Sequence, residues 1–158
     1  LSAFLNSSNL KFPDGDYLTT KARRTPRITI MNKPSILPDD GTREIIAAAL
    51  EVHRHLGPGL LESAYEECLC FELELRNLSF ERQKPLPISY KGKNLDCAYR
   101  LDLLVGNRIL LELKSVEKLL PIHEAQLLTY LKLSGMKTGL LINFNQQLLK
   151  DGIRRFVL

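Results

Sequence analysis

The chain has 158 residues, a net charge of +4, 44% hydrophobic residues and 25% charged residues. These values are typical of a globular protein with one core, and no apolar run reaches the roughly 18 residues that a membrane span requires. The small positive charge permits nucleic-acid binding but does not argue for it.

The chain contains three cysteines, Cys68, Cys70 and Cys97. A small, odd number of cysteines favours reduced thiols, so we expect a cytoplasmic location. Cys68 and Cys70 are two positions apart, and side chains at that spacing point away from each other on a helix. This spacing disfavours a metal site built on the pair.

The first 40 residues differ from the rest of the chain because they show no sustained hydrophobic period and contain four prolines. They also carry a basic cluster of Lys21, Arg23 and Arg24. We therefore expect residues 1–40 to be a poorly ordered N-terminal extension and residues 41–158 to form the folded domain. The alternative for the extension is a basic arm that binds nucleic acid.

Two helices are predicted at the start of the domain. The segment "TREIIAAALEVHRHLG" has apolar residues at helical spacing, with Thr42 as the expected N-cap and Gly57-Pro58 as the stop. The second helix is expected in "LLESAYEECLCFELELR", from about residue 60 to residue 76.

Three strands are then predicted, in "LPISY", "LDCAYRLDLLV" and "RILLELKSV", with turns at "KGKN" and around Gly106. A third helix, "PIHEAQLLTYLKL", is expected to begin at Pro121 and to end at Gly135. The apolar segment "TGLLINF" indicates a strand in the middle of a sheet, and "GIRRFVL" a last strand.

The alternation of side chains predicts the turn between the second and third strands. Apolar residues alternate along both strands, at Tyr99, Leu101, Leu103 and Val105 and then at Ile109, Leu111 and Leu113. Both rows share one face only if the numbers of paired residues sum to an even number, and a two-residue Gly106-Asn107 loop breaks that rule. We therefore predict a three-residue turn over 106–108 or a bulge. Asp102 then lies opposite Glu112, with Cβ atoms about 5 Å apart.

Two carboxylates at this distance repel each other unless a cation lies between them. Mg²⁺ suits such a place because it takes oxygen ligands, usually one or two carboxylates together with water and phosphate. Lys114, on the same face as Glu112, would stand beside the ion and orient a water or stabilise charge on a phosphate. The alternative is a salt-bridged polar face covered by a helix.

Other polar residues give weaker signals. Glu62 and Tyr65 are three positions apart at the margin of an apolar helix stripe, although the helix dipole alone favours a glutamate there. His123, Gln126 and Tyr130 share one face of the third helix, which is also what an ordinary polar margin would give. His53 and His55 are expected to be packing or surface residues, which disfavours a different kind of metal hydrolase.

Four segments together, "GPGLLESAY", "YRLDLLV", "ILLELKSV" and "HEAQLLTYLKLSG…GLLINF", closely resemble the bacterial GxxExxY proteins, a group of the PD-(D/E)xK nuclease superfamily. The resemblance runs from about residue 43 to the end, and Leu101 replaces the proline that the superfamily's name implies. The matched motif positions are Gly59, Glu62, Tyr65, Asp102, Glu112, Lys114, Gln126 and Tyr130.

The resemblance implies an α/β (α+β) fold with a restriction-endonuclease-like core, in which helices flank a central mixed β-sheet. It also implies a site for Mg²⁺ (or Mn²⁺) formed by Asp102, Glu112 and the Leu113 carbonyl, with Glu62 as a further acid. Lys114 would assist the attacking water. The side chains expected to position the strand or the site are Gln126 and Tyr130.

The expected function is therefore that of a Mg²⁺-dependent nuclease, which hydrolyses phosphodiester bonds, with DNA as the expected substrate, through metal-activated water. The alternatives are a catalytically inactive nucleic-acid-binding protein and a protein-interaction module on the same fold. No membrane partner is expected, and the oligomeric state stays open.

Overall fold

A computed structural model describes residues 29–31 and 40–158 of the chain, without the side chains of residues 29–31 and 96–98. The helices in this part are α1 (Thr42–Leu56), α2 (Glu62–Leu75), α3 (Pro121–Ser134) and the short α4 (Leu149–Gly152). The strands are β1 (Thr29–Met31), β2 (Phe80–Tyr90), β3 (Lys93–Val105), β4 (Ile109–Lys114), β5 (Thr138–Asn143) and β6 (Ile153–Val157).

The strands form one mixed sheet in the order β1-β6-β5-β4-β3-β2. Strands β4 and β5 are parallel and the other neighbours are antiparallel. Helix α3 connects the two parallel strands, as a parallel pair requires a crossover. The expected α/β fold, with a central mixed sheet between helices, is therefore confirmed. None of the described helices is long and apolar enough to cross a bilayer.

Both faces of the sheet are buried, and each face packs against different helices. On one face α1 and α2 cover the alternate residues of β3 and β4, which are Leu103, Val105, Ile109, Leu111 and Leu113. On the other face α3 packs through Leu127 and Leu131. This helix lies close to β5 because Gly139 has no side chain, and a Cβ there would be 3.0 Å from Leu127 Cδ1.

Leu101 departs from the predicted alternation. It packs on the α3 side of the sheet with Leu110 and Tyr130, not with Leu103 on the other face. The backbone of the neighbouring strand β2 is unusual at the same level. Gln83, which stands across from Asp102 in β2, has a left-handed backbone with φ of 49°, although the residues on either side of it remain in register.

The start of α1 also differs from the prediction. The helix begins at Thr42, but Thr42 is not its N-cap, because Gly41 holds that position with φ of 89°. The cap is supplied by Asp40, whose Oδ1 accepts hydrogen bonds from the Thr42 backbone N–H (3.1 Å) and hydroxyl (2.6 Å). Asp40 also forms an ion pair with Arg155 of β6, which ties the start of α1 to the sheet.

Three residues of the N-terminal segment belong to the sheet. Thr29–Met31 pair antiparallel with β6, from Thr29 opposite Val157 to Met31 opposite Arg155. Three residues are too few to show a strand period in the sequence, and the outer edge of β6 supplies the hydrogen-bond partners. Residues 1–28 and 32–39 lie outside the described part, so their assignment to a poorly ordered extension stays a prediction.

Strand β2 is longer than the predicted "LPISY" and forms a long hairpin with β3. Pro85 and Pro87 lie within it, which is possible because β2 is the edge strand of the sheet and needs no partner on its outer side. Only Leu103–Val105 of β3 pair with β4, so most of this hairpin is two-stranded.

Candidate active site

The turn between β3 and β4 brings the two charged strands together. Val105 pairs with Ile109, and Leu103 pairs with Leu111, so the paired numbers have an even sum. The three-residue turn over 106–108 is therefore confirmed. Gly106 and Asn107 have positive φ values of 57° and 54°, which glycine and asparagine adopt most readily.

Beyond Leu103 and Leu111 the two strands separate, and Asp102 lies at the point of separation. Its Oδ2 accepts a hydrogen bond of 2.8 Å from the backbone N–H of Leu113. The Asp102 carboxylate thus accepts the hydrogen bond that a backbone carbonyl of β3 would otherwise accept. This hydrogen bond holds the carboxylate between the two strands, next to Glu112. We call this point of separation, between Asp102 of β3 and Glu112 of β4, the fork. On its β4 side the backbone is held by pairing with β5 as far as Lys114.

Glu112 is buried beside Asp102, with only 1% of its surface exposed. Its Oε1 accepts a 2.6 Å hydrogen bond from the Lys114 ammonium, but its Oε2 is buried and has no hydrogen-bond partner. Such an oxygen is costly because its lost hydration is not replaced. The carboxylate is therefore oriented for a positive ligand that the protein itself does not supply at Oε2.

The Lys114 ammonium lies at the centre of the acidic cluster. Besides Glu112, it donates a 2.9 Å hydrogen bond to the Leu113 carbonyl, and its Nζ is 3.9 Å from Glu62 Oε1. Glu62 is the most exposed of these acids, at 43% of its side chain. The structure thus brings together Glu62, Asp102, Glu112 and Lys114, which the sequence singled out from three separate segments.

The ionisation of these groups is coupled. Burial raises the pKa of Glu112 to about 7, and the charge of Asp102 adds to the rise. Burial also raises the pKa of Asp102 to about 6, although the hydrogen bond from Leu113 opposes it. For Lys114, burial disfavours the charge, but the hydrogen bond and charge of Glu112 outweigh burial and raise its pKa. Two acids with raised pKa values in one cluster are typical of a functional site.

The position of Glu62 depends on Tyr65, one turn further along α2. The buried Tyr65 hydroxyl donates a 2.6 Å hydrogen bond to the Gly57 carbonyl and accepts one of 3.1 Å from the Leu60 backbone N–H. Its ring stacks on Phe144, with 4.5 Å between the ring centroids. These contacts fasten the loop between α1 and α2, so that α2 begins at Glu62 beside the cluster. Gly59 gives this loop a turn with φ of 104°.

The segment after Lys114 is held in a similar way. The buried Asn143 side chain accepts a hydrogen bond from the Val116 N–H (3.0 Å) and donates one to the Val116 carbonyl (2.8 Å). Ser115 Oγ donates to the Leu60 carbonyl at 2.5 Å. The two loops next to Lys114 and Glu62 are thereby bound to each other.

Gln126 and Tyr130 form a pair on α3. Gln126 Nε2 donates a 2.9 Å hydrogen bond to the Tyr130 hydroxyl. Burial raises the pKa of Tyr130, and the charges of Glu112 and Asp102 add to the rise. Tyr130 packs in the same cluster as Leu101, the residue before Asp102. Among the described residues, the Gln126 amide hydrogen-bonds only to Tyr130, so its part in positioning a substrate stays a prediction.

Glu66 belongs to this region but was missed in the sequence. It lies one turn after Glu62 on α2 and is only 7% exposed, and its charge contributes to the raised pKa of Asp102. Arg82 Nε (2.5 Å) and Gln83 Nε2 (2.7 Å) bind its two oxygens. The four-residue spacing from Glu62 was a usable signal, but these partners in β2 were not visible from it.

The histidines do not form a site. His53 Nε2 donates to the Gln146 carbonyl at 2.7 Å, and His55 Nδ1 donates to the Glu51 carbonyl at 3.0 Å, as expected for packing and surface residues. Among the described side chains, which leave out those of residues 29–31 and 96–98, no three His, Cys, Asp or Glu side chains are grouped so that they could hold a metal. This finding includes the three acids Glu62, Asp102 and Glu112. Cys68 and Cys70 are free thiols.

The raised acid pKa values predict that the metal-free protein loses stability as the pH rises. The folded state binds more protons than the unfolded state between the unfolded pKa values near 4 and the folded values of about 6 and 7, so the contribution is present at pH 5 and lost by pH 8. We expect the free energy of unfolding to fall by on the order of 4 kcal/mol over this range. Urea titrations in EDTA at several pH values measure it. A double variant, Asp102→Asn with Glu112→Gln, is the control, and an equal pH dependence in both proteins would contradict the prediction.

Comparison with known proteins gave one result. A family model of the PD-(D/E)XK nuclease superfamily matches residues 39–156, which is most of the chain and includes every candidate site residue. Searches of the curated proteins and of the solved structures found no match. The mixed sheet is consistent with this match. The chain therefore belongs to the PD-(D/E)XK nuclease superfamily.

Proposed function

We propose that this protein is a metal-dependent nuclease, which hydrolyses phosphodiester bonds of DNA with Mg²⁺ (or Mn²⁺) at the fork between β3 and β4. Membership of the superfamily suggests nuclease activity, and divalent metals are generally used by its members. The observation that carries the finer proposal is the buried, unpartnered Oε2 of Glu112 beside Asp102.

The residues present fit a hard divalent cation. Two carboxylates, from Asp102 and Glu112, and the carbonyl of Leu113 offer oxygen ligands at one place, and Mg²⁺ in proteins commonly takes one or two carboxylates with water. A cation at this point would offset the repulsion between the two acids and the cost of burying Glu112 Oε2. When bound, the ion would activate a water and neutralise charge on the phosphate.

Lys114 would change partners in the working enzyme. Its ammonium now binds Glu112 Oε1 and the Leu113 carbonyl, two of the oxygens assigned to the cation. If these oxygens held a cation, the ammonium would be able to donate to the attacking water or to a phosphate oxygen, where it would stabilise developing negative charge. Glu62, at the exposed side of the cluster, would hold a second position for water or metal.

We also assign the chain to the GxxExxY group of the superfamily, on its motif Gly59, Glu62 and Tyr65. The contacts of these residues support the assignment, because each motif position has a part in presenting Glu62. Glycine allows the turn, and tyrosine fastens the loop from within the core. The cytoplasmic location expected from the cysteines stays a prediction.

One observation favours a second candidate, a catalytically inactive nucleic-acid-binding protein. The Lys114 ammonium already supplies a positive charge to the cluster, so the acids are partly neutralised without metal. Titration calorimetry with Mg²⁺ or Ca²⁺ distinguishes the two functions. An enzyme binds the ion in wild type and not in Asp102→Asn, whereas a protein that has lost the site gives no heat in either.

The nuclease assignment predicts cleavage that requires a divalent metal. Wild-type protein, incubated with single- and double-stranded DNA and RNA, is expected to cut DNA in Mg²⁺ or Mn²⁺ and to leave every substrate intact in EDTA. Gel electrophoresis of labelled substrates measures this and identifies the preferred one. Cleavage that persists in EDTA would mean another chemistry or a contaminant, and no cleavage with either metal would overturn the assignment.

A further inference from the structure

The long β2–β3 hairpin extends away from the acidic fork as a two-stranded arm. We call residues 86–99 the arm. Its strands pair with each other from Leu86 opposite Tyr99 to Tyr90 opposite Lys93, with a register shift after Pro87. Among the described residues, no other strand pairs with this stretch, so both of its edges are unpaired.

One face of the arm carries aromatic and basic side chains. Side chains at alternate positions of β2, and those paired with them in β3, share a face. The pairs on this face are Leu86 with Tyr99, Ile88 with Leu95 and Tyr90 with Lys93. Leu86 is buried and Ile88 and Leu95 are half-buried, whereas Tyr99 is 48% exposed and Tyr90 is 61% exposed. Two tyrosine rings are therefore exposed to solvent on a face whose other apolar side chains are buried or half-buried.

This face begins next to the candidate active site. The ring of Tyr99 contacts that of Tyr130, with 5.5 Å between centroids at a tilt of 51°. Tyr130 in turn packs in the same cluster as Leu101, the residue before Asp102. Tyr99 is three residues from Asp102 along β3, about 10 Å at the usual rise of a strand. The distance from Leu86 to Tyr90 is about 13 Å, which is the length of three or four stacked nucleotides at about 3.4 Å each.

The two lysines near the tip have no acidic partner among the described residues. Arg82 and Lys84, where β2 joins the body, form ion pairs with acids. By contrast, Lys91 and Lys93 form no ion pair with any side chain that the structure describes, and the Lys91 ammonium lies 5.3 Å from the centroid of the Tyr90 ring. Exposed aromatic rings next to ammonium groups without acidic partners match the chemistry of a nucleic-acid strand. Its bases stack on aromatic rings, and cations neutralise its phosphates.

We propose that this face of the arm binds a single-stranded nucleic acid, with bases stacked on Tyr99 and Tyr90 and phosphates bound by Lys91 and Lys93. The proposal deepens the proposed function and rests on it, because the arm would lead an unpaired strand to the acids at the fork. A duplex fits less well, since its base faces are already stacked on one another and leave nothing for the two rings to cover.

The stacking part is tested by fluorescence anisotropy in EDTA, with a labelled oligothymidylate and a labelled duplex of the same length. Tyr99→Ala is expected to weaken single-strand binding about five- to tenfold, and Tyr99→Phe, which keeps the ring, to bind like wild type. Phe71→Ala, at an aromatic residue on α2 that is exposed by 60% against 48% for Tyr99, is the control and should not change binding. Thermal melting checks that each variant is folded.

The electrostatic part is tested by the salt dependence of the same binding. Removal of two phosphate contacts, by Lys91→Ala with Lys93→Ala, should reduce the slope of log affinity against log salt by about 1.4. Lys132→Ala with Lys150→Ala, at two exposed lysines elsewhere, is the control with the same change in charge.

The proposal is overturned if folded Tyr99→Ala binds the single strand as well as wild type, or if the duplex binds more tightly than the single strand. Because the assay contains no metal, these outcomes are independent of catalysis. If the protein cuts nucleic acid but does not need Tyr99 to bind it, the nuclease assignment stands and the binding role of the arm is overturned. A protein that needs Tyr99 for binding but never cuts keeps the arm as a binding surface only.

Discussion

Asp102→Asn, Glu112→Gln and Lys114→Met are each expected to lower metal-dependent cleavage by about a thousandfold or more. The first two remove a charged oxygen ligand, and a neutral amide binds Mg²⁺ poorly and no longer offsets its charge. The third keeps the length of the side chain but removes the only ammonium in the described cluster, the group assigned to stabilise the phosphate or orient the water. Initial rates of cleavage on the preferred substrate measure the effect.

The same three variants separate a chemical role from a structural one. Glu112 is buried with an unpartnered oxygen, so an uncharged side chain there removes a costly charge, and the metal-free protein should lose less than about 1 kcal/mol of stability. Titration calorimetry should show metal binding lost in the two acid variants and retained in Lys114→Met. Glu74→Gln, at an exposed glutamate of α2, is the control and should cut like wild type. A folded Glu112→Gln protein with wild-type rates would exclude the fork as the active site.

Tyr65→Ala is expected to lower the free energy of unfolding by about 3–5 kcal/mol, the usual cost of removing a large buried aromatic side chain. Tyr65 is fully buried, and its removal would leave a cavity against Phe144 and free the loop before α2. Urea denaturation measures the loss. A change below about 1 kcal/mol would mean that this loop does not depend on Tyr65.

Tyr65→Phe isolates the hydroxyl from the ring. The stack on Phe144 remains, but the Gly57 carbonyl and the Leu60 N–H lose their partner, so we expect a loss of about 1–2 kcal/mol. Cleavage should fall as well, since Glu62 would be held less firmly. Tyr90→Phe, which removes an exposed hydroxyl with no hydrogen bond in the described part of the chain, is the matched control for stability and should change little. Equal stability of Tyr65→Phe and wild type would contradict the role given to the hydroxyl.

Several features of this fold were predictable because they depend on neighbouring residues. The apolar period and the terminal glycines gave α1 and α3 almost to the residue, and the alternation of β3 and β4 required the three-residue turn that the structure contains. That register also predicted Asp102 beside Glu112 and Lys114, although the alternation on which it was based fails at Leu101, which packs on the other face from Leu103.

Other features depend on contacts between distant segments, and here the sequence was silent or wrong. The cap of α1 comes from Asp40, and not from Thr42, because Asp40 is also held by Arg155 of β6. β1 exists because the edge of β6 was open to it. Glu66 is neutralised by β2, so it is a structural acid despite its place beside Glu62.

The sequence by itself determined which side chains carry the chemistry and which of them share a strand, because charge and alternation are local properties. Only the tertiary structure decided how each is held: Asp102 by the Leu113 N–H, Glu112 by Lys114 with one oxygen left free, and Glu62 by the loop that Tyr65 fastens. Burial and partnership set these pKa values and orientations, and both arise only when segments far apart in the chain exclude water from the same place.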